Sequence, residues 1–444
     1  MIMRMMLIII ICKIVYHLSK LAGKQGVTLA GLIALKLDRN ILSKLSKQVR
    51  KKIIMVCGTN GKTTTNNLCA LALRANGYKV IYNQTGSNML NGIVACFVLN
   101  CNIFGKLDHD YACLEVDEAS LRRIMPSCKA DIMILTNLFR DQLDRYGEID
   151  ITMDLLKEGL SYSPDCELII NADDVLSKYF AYNTSLPYMT FGIKDKVVDS
   201  IDNDMKEGRF CKVCNHKMVY RFYHYSQLGD YYCPNCGFER GKIDVNGYDI
   251  LYKDHCEVSV DNVRLVTNYK GFYNIYNILA ASCLLIKENC SLEKFNSVLN
   301  HFEPENGRLE IFHINGVKVT LNLAKNPAGF NQNIALCTND DTNKDIVIVI
   351  NDNAQDGIDV SWLWDVDFDR FKMDKVDHFI TSGTRFKDMQ LRLKYVDIDS
   401  KAIEDFEEAF TYAIKNCHNK NLYILVNYTA LYPAHVFLKK LERR

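Results

Sequence analysis

One glycine-rich turn, set between an apolar strand and a helix, constrains the fold of this chain more than any other stretch. Residues 53–57 predict a buried strand, and a helix is expected over 66–75. Between them lies Gly58-Thr59-Asn60-Gly61-Lys62-Thr63-Thr64-Thr65. A strand, a glycine turn and a Lys-Thr pair at the start of a helix are typical of a phosphate-binding P-loop.

The P-loop pattern assigns roles to its side chains. Lys62 is expected to reach the β- and γ-phosphates of a nucleoside triphosphate, and the Thr63 hydroxyl to hold Mg²⁺. Val56 stands where the general pattern has glycine, so a plain glycine turn beside a surface lysine is the alternative interpretation. The residues of the turn predicted to bind ATP are Gly58, Thr59, Asn60, Gly61, Lys62, Thr63 and Thr64.

Further strands alternate with helices after the P-loop. They are expected over 78–82, 111–116, 131–137 and 167–171. This alternation predicts a doubly wound, mostly parallel α/β sheet whose functional loops share one edge. Glu115, at the end of its strand, is therefore a predicted Mg²⁺ ligand, with a helix cap as the alternative role.

Composition and charge exclude some classes of protein. A chain of 444 residues has room for two or three domains. Its formal net charge of +1 argues against a nucleic-acid-binding protein. The 17 cysteines are mostly scattered singly, which favours a reducing compartment. We therefore expect a cytoplasmic protein, with the inner face of the membrane as an alternative location.

The N-terminal segment is apolar, with an unbroken run over 5–12 flanked by Arg4 and Lys13. This run is much shorter than the roughly 20 residues that a membrane-spanning helix needs. No small-residue cleavage site of the kind that ends a signal peptide follows His17. We expect a helix that packs on the protein or rests at a membrane surface, followed by further helical structure to about residue 48.

Four cysteines have the spacing of a structural zinc site. The pairs Cys211-x-x-Cys214 and Cys233-x-x-Cys236 flank a segment that predicts a short hairpin. Four thiolates fill a tetrahedral coordination sphere, so the predicted zinc ribbon, over about 207–242, is structural. His224, inside the ribbon, is expected to be an exposed polar side chain and not a ligand.

The C-terminal part of the chain predicts a second α/β unit, with strands expected over 316–321, 345–350, 376–380 and 422–426. One of its loops, 351–367, is rich in aspartate and also contains Trp362 and Trp364. Clustered carboxylates could bind a metal, whereas the tryptophans suit a protein interface. The aspartates are Asp352, Asp356, Asp359, Asp365 and Asp367.

Taken together, several motifs resemble the motif series of the Mur ligases, in that family's order and over roughly residues 50–440. They are 58–64, 136–144, 171–174, 274–281 and Gly307-Arg308. Within that family the chain is most similar to the MurT type, the ligase-like subunit of lipid II isoglutaminyl synthase. The narrower likeness depends on the four-cysteine insertion, on 322–329 and on 351–357.

The resemblance implies ATP-dependent amidation of the α-carboxylate of D-glutamate in the lipid II stem peptide, to give D-isoglutamine in peptidoglycan (cell wall) biosynthesis. By motif position, Lys62 and Arg308 would contact the ATP phosphates, with Thr63 and Glu115 on Mg²⁺. Asn274 would lie near adenine, and Asn322 falls where other Mur ligases carry an aspartate near the ribose. Gln142 replaces a histidine that helps bind a second Mg²⁺, so a second metal is not assigned.

The resemblance also implies a partner, because the chain has no Gly-x-Cys-x-Gly turn for a glutaminase nucleophile. In MurT-type proteins ammonia comes from a GatD-like class I glutamine amidotransferase, in a heterodimer. An aspartate of the ligase subunit completes the partner's catalytic triad, and Asp356 is the predicted residue, ahead of Asp352 and Asp359. The alternative is a loop capped by its own aspartates.

Two other functions fit the sequence less well. A Mur-type ligase that adds an amino acid is disfavoured by Gln142 and the four-cysteine ribbon. A nucleotide-switched nucleic-acid binder is disfavoured by the near-zero net charge. The predicted organisation is an N-terminal helical segment (1–48), a Mur ligase central ATP-binding domain (49–305) and a C-terminal MurT-type α/β domain (306–444), which resembles a Rossmann fold.

Overall fold

The computed structural model describes residues 2–22, 26–83, 87–141, 149–198, 207–302, 309–372, 375–418 and 421–443. Gln142 and Arg308, two residues singled out by the family motifs, lie outside these ranges. Among the residues described, no helix is both long and apolar enough to cross a membrane.

The larger part of the chain is built on a nine-stranded sheet in the order β11-β10-β9-β6-β5-β4-β1-β3-β2. Neighbouring strands from β2 to β9 pair in parallel, and β9, β10 and β11 form an antiparallel edge. The strands, with a separate hairpin of β7 and β8, are β1 Lys52–Cys57, β2 Val80–Tyr82, β3 Tyr111–Glu115, β4 Ile132–Leu135, β5 Glu167–Asn171, β6 Tyr188–Ile193, β7 Val219–Tyr225, β8 Leu228–Tyr232, β9 Val245–Leu251, β10 Cys256–Val260 and β11 Val263–Thr267.

Both faces of this sheet are covered by helices. Successive side chains of β1 point to opposite faces of the sheet and therefore pack in two different cores. Ile54 and Val56 pack with the helices Lys62–Ala75, Tyr273–Lys287 and Leu292–Leu299. Met55 and Cys57 pack on the opposite side. The helices of that side are Ile2–Leu21, Val27–Leu37, Ile41–Ser46, Leu90–Asn100, Leu121–Ile124, Ile149–Leu160 and Val175–Thr184.

A second sheet of six strands follows, in the order β12-β13-β17-β14-β15-β16, and it is parallel except for the β12–β13 pair. Its strands are β12 Glu310–Ile314, β13 Val317–Leu323, β14 Lys344–Val349, β15 Val376–Ser382, β16 Lys401–Ala402 and β17 Asn421–Val426. Its helices are Pro327–Asn339, Phe386–Lys394, Phe406–Asn416 and Tyr428–Glu442.

The predicted fold class is confirmed, with differences at element boundaries. The helix after the P-loop begins at Lys62 and not at residue 66, because Gly61 lies in the left-handed region immediately before it. The N-terminal region forms three helices, and the first of them buries Ile8, Ile9 and Cys12 against the domain. The expectation that this helix packs on the protein is correct for that face.

Candidate nucleotide and metal sites

The P-loop turn follows β1, an interior strand of the larger sheet, where the strand order places β3 on one side and β4 on the other. Gly58 and Gly61 both have positive φ, at 121° and 84°. A Cβ on Gly58 would lie 2.3 Å from Thr136 Oγ1, and one on Gly61 would lie 2.2 Å from Asn277 Oδ1. Both glycines are therefore required by backbone conformation and by space.

Lys62 is buried and held inside the turn. Its Nζ donates to the Gly58 carbonyl at 2.5 Å and lies 2.9 Å from Glu118 Oε1, which also accepts from the Gly58 N–H. Burial alone would lower the pKa of Lys62, but Glu118 and Asp117 outweigh it and hold that pKa above its ordinary value. The ammonium thus stays charged where a phosphate would need it. No motif of the sequence assigned a role to Glu118.

Glu115 lies at the end of β3, beside the turn. Its Oε1 accepts from Asn88 Nδ2 at 3.2 Å, while Oε2 is buried with no hydrogen-bond partner among the residues described. Burying a carboxylate oxygen without a hydrogen-bond partner costs free energy, unless a ligand that is not part of the chain binds that oxygen. A carboxylate oxygen of this kind fits a hard cation such as Mg²⁺.

The loop after β4 forms one wall of the site. The Thr59 N–H donates to the Asn137 carbonyl at 2.9 Å, and the Asn60 N–H donates to Asn137 Oδ1 at 2.9 Å. Thr59 Oγ1 accepts from the Phe139 N–H at 2.9 Å. A cleft runs between the turn and this loop, lined by Thr59, Glu118, Phe139, Arg140, Asp141, Ile149 and Thr152.

The C-terminal unit contacts the same site through several polar side chains, among them Asp365, which pairs with Arg140 at 3.3 Å. Lys325 Nζ lies 2.8 Å from Asp141 Oδ2, and Asn326 Nδ2 donates to Asn60 Oδ1 at 3.0 Å. Burial alone would raise the pKa of Asp141, but Lys325 and Lys62 lower it below its usual value. The carboxylate is therefore ionised. The P-loop is contacted directly by the loop after β4 of the larger sheet and by the segment after β13 of the smaller one.

Two residues predicted by motif position are engaged within the chain. Asn274 is buried, donates to the Lys270 carbonyl at 2.7 Å and accepts from Asn277. Asn322 is buried, and its Oδ1 accepts from the Leu309 N–H at 3.0 Å. Asn274 and Asn277 both lie on the helix Tyr273–Lys287, and it is Asn277 that lies against the glycine turn. The sequence pattern did not predict this contact.

The four predicted zinc ligands come together. The sulfur atoms of Cys211, Cys214, Cys233 and Cys236 all lie within 4.8 Å of one another. Each pair ends in a residue with positive φ, Asn215 at 56° and Gly237 at 75°, whose N–H donates to the carbonyl of the first cysteine of its pair. The two Cys-x-x-Cys turns therefore have the same backbone hydrogen bond and a positive-φ residue after the second cysteine. The four sulfur atoms suit a tetrahedral thiolate metal site.

The hairpin of the ribbon is anchored in the larger domain. The prediction that His224 is exposed was wrong: the ring is 1% exposed, and its Nδ1 lies 2.8 Å from the Tyr276 hydroxyl, which donates to Asp173. Burial lowers the pKa of His224 to about 4, so the ring is neutral near pH 7. Gln227, also buried, donates to the Leu138 carbonyl at 2.7 Å. The ribbon therefore supports the loop that forms the wall of the P-loop.

Asp356 lies in the loop after β14, against the first turn of the last helix, Tyr428–Glu442. It is 4% exposed, its Oδ1 accepts from the Thr429 N–H at 2.8 Å, and its Oδ2 accepts from the Thr429 hydroxyl. Asp352 is more accessible and accepts from the Thr384 hydroxyl at 2.7 Å. The surrounding loop exposes Ile358 and, farther along, Trp364.

Comparison with known proteins places this geometry in a family. The chain is 34% identical over 441 residues to the lipid II isoglutaminyl synthase (glutamine-hydrolyzing) subunit MurT of Staphylococcus aureus (strain COL), covering 96% of this chain and 97% of that protein. The chain belongs to the MurT family. The MurT ligase C-terminal model matches 323–431 and the Mur ligase middle domain model matches 56–285.

Other similarities agree with this MurT-family assignment. The MurT subunit of Streptococcus pneumoniae (strain ATCC BAA-255 / R6) is 31% identical, with 94% of this chain and 92% of that protein covered. Among solved structures, a pseudomurein peptide ligase type C from Methanothermus fervidus matches with a TM-score of 0.70 at 20% identity, covering 88% of this chain and 79% of that one. The second likeness shows the shared fold alone.

Proposed function

We propose that this chain is the ATP-dependent ligase subunit of a lipid II isoglutaminyl synthase. Its reaction converts the α-carboxylate of D-glutamate in the lipid II stem peptide to an amide, in peptidoglycan synthesis. The observation that carries the proposal is the P-loop with its buried, charged Lys62, in a chain similar to MurT subunits over nearly its whole length. The matched family regions fall inside the proposed domains, 49–305 and 306–444.

The chemistry follows from the poor reactivity of a carboxylate. One carboxylate oxygen attacks the γ-phosphorus of ATP, the bond to ADP breaks, and an acyl phosphate forms. Ammonia then attacks the carbonyl carbon, inorganic phosphate leaves, and a proton is lost from nitrogen. Lys62 would neutralise charge on the transferred phosphoryl group, and Arg308 is assigned to the same phosphates by motif position.

Two metal ions are part of the proposal. Glu115, whose Oε2 has no hydrogen-bond partner in the described part of the chain, and Thr63 would hold Mg²⁺. The four sulfur atoms of the ribbon would hold a structural Zn²⁺, because a closed thiolate tetrad leaves no position for a substrate. We further assign Asn274 to the adenine side and Asn322 to the ribose side of the nucleotide.

The nitrogen would come from a GatD-like glutaminase bound to the C-terminal unit. Asp356, with Asp352 as the second candidate, is proposed to face that enzyme's histidine, where a carboxylate orients and stabilises an imidazolium. The exposed side chains of Ile358 and Trp364 on the same loop suit a protein interface. Since ATP and glutamine are cytoplasmic and lipid II is a membrane lipid, the inner face of the membrane is the proposed location.

The test is reconstitution. The purified chain with lipid II, Mg²⁺, ATP and ammonium chloride is expected to release phosphate and yield amidated lipid II, detected by mass spectrometry. With glutamine in place of ammonium, product should appear only when the glutaminase partner is added. Addition of a free amino acid to the carboxylate, or no ATP consumption with ammonium, would refute the proposal. The Lys62→Ala variant is the negative control.

A further inference from the structure

The first helix, Ile2–Leu21, is apolar on the side that faces away from the protein. Its exposed large side chains are Met3, Leu7, Ile14, Leu18 and Leu21, between 52% and 85% exposed. At 3.6 residues per turn these positions fall within an arc of about 60°. The buried residues Ile8, Ile9 and Cys12 lie on the opposite side. We name the five exposed residues the outer stripe.

The stripe is part of a wider surface. The second helix, Val27–Leu37, buries Ala30, Gly31 and Ala34 and exposes Leu29 and Leu32. Gly31 lies against the backbone of Asn91, so this helix has one face on the domain and the other in solvent. Ile103 lies next to the outer stripe. It lines a shallow groove together with Ile10, Lys13, Ile14, His17 and Leu18.

The charged side chains of the first 37 residues have one sign. Residues 1–37 contain no aspartate or glutamate, and they contain Arg4, Lys13, Lys20, Lys24 and Lys36. The first carboxylate in the sequence, Asp38, is paired with Lys44. An apolar stripe flanked by basic residues is complementary to a surface that is apolar inside and anionic outside.

We infer that the outer stripe, with the basic residues beside it, docks this protein on the surface of a bilayer that contains anionic lipids. The helix, about 30 Å long, would lie in the plane of the interface, with its stripe in the acyl boundary and its lysines at the headgroups. A second copy of the chain is a poorer occupant, because two such surfaces would bring like charges together. The inference deepens the proposed function, since the proposed substrate is a membrane lipid.

Flotation of the full chain with vesicles tests the inference without any turnover. The vesicles are phosphatidylcholine alone or phosphatidylcholine with about one quarter phosphatidylglycerol. We expect binding to the second kind, weakened by added salt. The stripe variant Leu7→Gln/Ile14→Gln/Leu18→Gln should bind at least about tenfold more weakly. A control variant, Leu251→Gln/Leu391→Gln/Val436→Gln, removes comparably exposed apolar side chains elsewhere and should bind as the unmodified chain does.

Charge is tested separately with Lys20→Gln/Lys36→Gln, which should bind less and lose part of the salt dependence. No binding of the unmodified chain to anionic vesicles would overturn the inference, as would equal binding by the stripe and control variants. If sedimentation shows a dimer that the stripe variant disrupts, a second copy covers the face and the inference is also overturned. Amidation of a water-soluble stem-peptide substrate should be the same in all variants, which separates this result from a failure of the proposed function.

Discussion

Lys62 and Glu118 form a buried ion pair within the P-loop, with Nζ 2.9 Å from Oε1 and both side chains at most 10% exposed. The same carboxylate oxygen accepts the Gly58 N–H at 2.8 Å. Glu118 therefore accepts from the two donors, Lys62 Nζ and the Gly58 N–H, that the proposed phosphate would use. The proposed nucleotide would replace one anion with another at these donors.

Replacing Glu118 should separate stability from nucleotide binding. Glu118→Ala leaves Lys62 buried without its partner, and we expect the free energy of unfolding to fall by about 3 kcal/mol. Phosphate would supply the missing anion, so ATP with Mg²⁺ should raise the melting temperature more than in the unmodified chain. Thermal melts with and without nucleotide measure both. The double variant Lys62→Met/Glu118→Gln should recover stability but show no nucleotide shift; a nucleotide shift there would contradict this account.

Glu115 is expected to contribute to Mg²⁺ binding and not to the stability of the fold. Glu115→Gln keeps an acceptor for Asn88 but removes the charge, so we expect roughly a 100-fold loss of carboxylate phosphorylation with little change in melting temperature. Calorimetry of ATP binding with and without Mg²⁺ should show that the metal no longer strengthens binding. Glu158→Gln, at an exposed carboxylate, is the matched control. Unchanged Mg²⁺ dependence in Glu115→Gln would remove Glu115 from the site.

The ion pair between Lys325 and Asp141 joins the two units over the P-loop. Lys325→Ala should raise the KM for ATP about fivefold, because the closed arrangement loses a contact. In a double-mutant cycle on unfolding, we expect a coupling free energy of about 1–2 kcal/mol with Asp141→Ala. The exposed pair Lys372 and Asp397 should couple by less than about 0.5 kcal/mol. Equal coupling in the two cycles would mean that the contact is only a surface pair.

Asp356 is proposed to serve the partner while it also binds Thr429. Asp356→Asn retains an acceptor for the Thr429 N–H, so the melting temperature should change little. Glutamine-dependent amidation in the complex should fall by about 10⁴-fold, the scale for a triad carboxylate, while ammonium-dependent amidation is retained. Asp352→Asn is the comparison variant. If Asp352→Asn and not Asp356→Asn blocks glutamine use, the assignment moves to Asp352.

The ribbon should link metal content to the P-loop wall. Elemental analysis is expected to find one Zn²⁺ per chain, lost in Cys233→Ser and retained in Cys290→Ser, a control outside the tetrad. Because Gln227 of the hairpin bonds the Leu138 carbonyl, loss of zinc should lower the melting temperature and also raise the KM for ATP. Zinc loss with an unchanged KM would confine the ribbon to local folding.

The structure corrected the sequence interpretation where contacts join distant segments. The histidine of the ribbon was expected in solvent because a lone histidine in a polar loop usually lies there. Only the packing of the hairpin against Tyr276 and Asp173 buries it. Likewise, no sequence pattern assigned Glu118 to the site, because its carboxylate reaches Lys62 and the Gly58 N–H only through the tertiary fold.

The sequence by itself determined the P-loop, the alternation of strands and helices, the four-cysteine tetrad and the family, because each depends on local spacing or on motif order. Tertiary structure alone decided which carboxylate pairs with Lys62, how Lys325 reaches Asp141, and which face of the first helix stays in solvent. These depend on distances between residues far apart in the chain. Such distances are set by the packing of whole sheets and helices, which a local pattern does not encode.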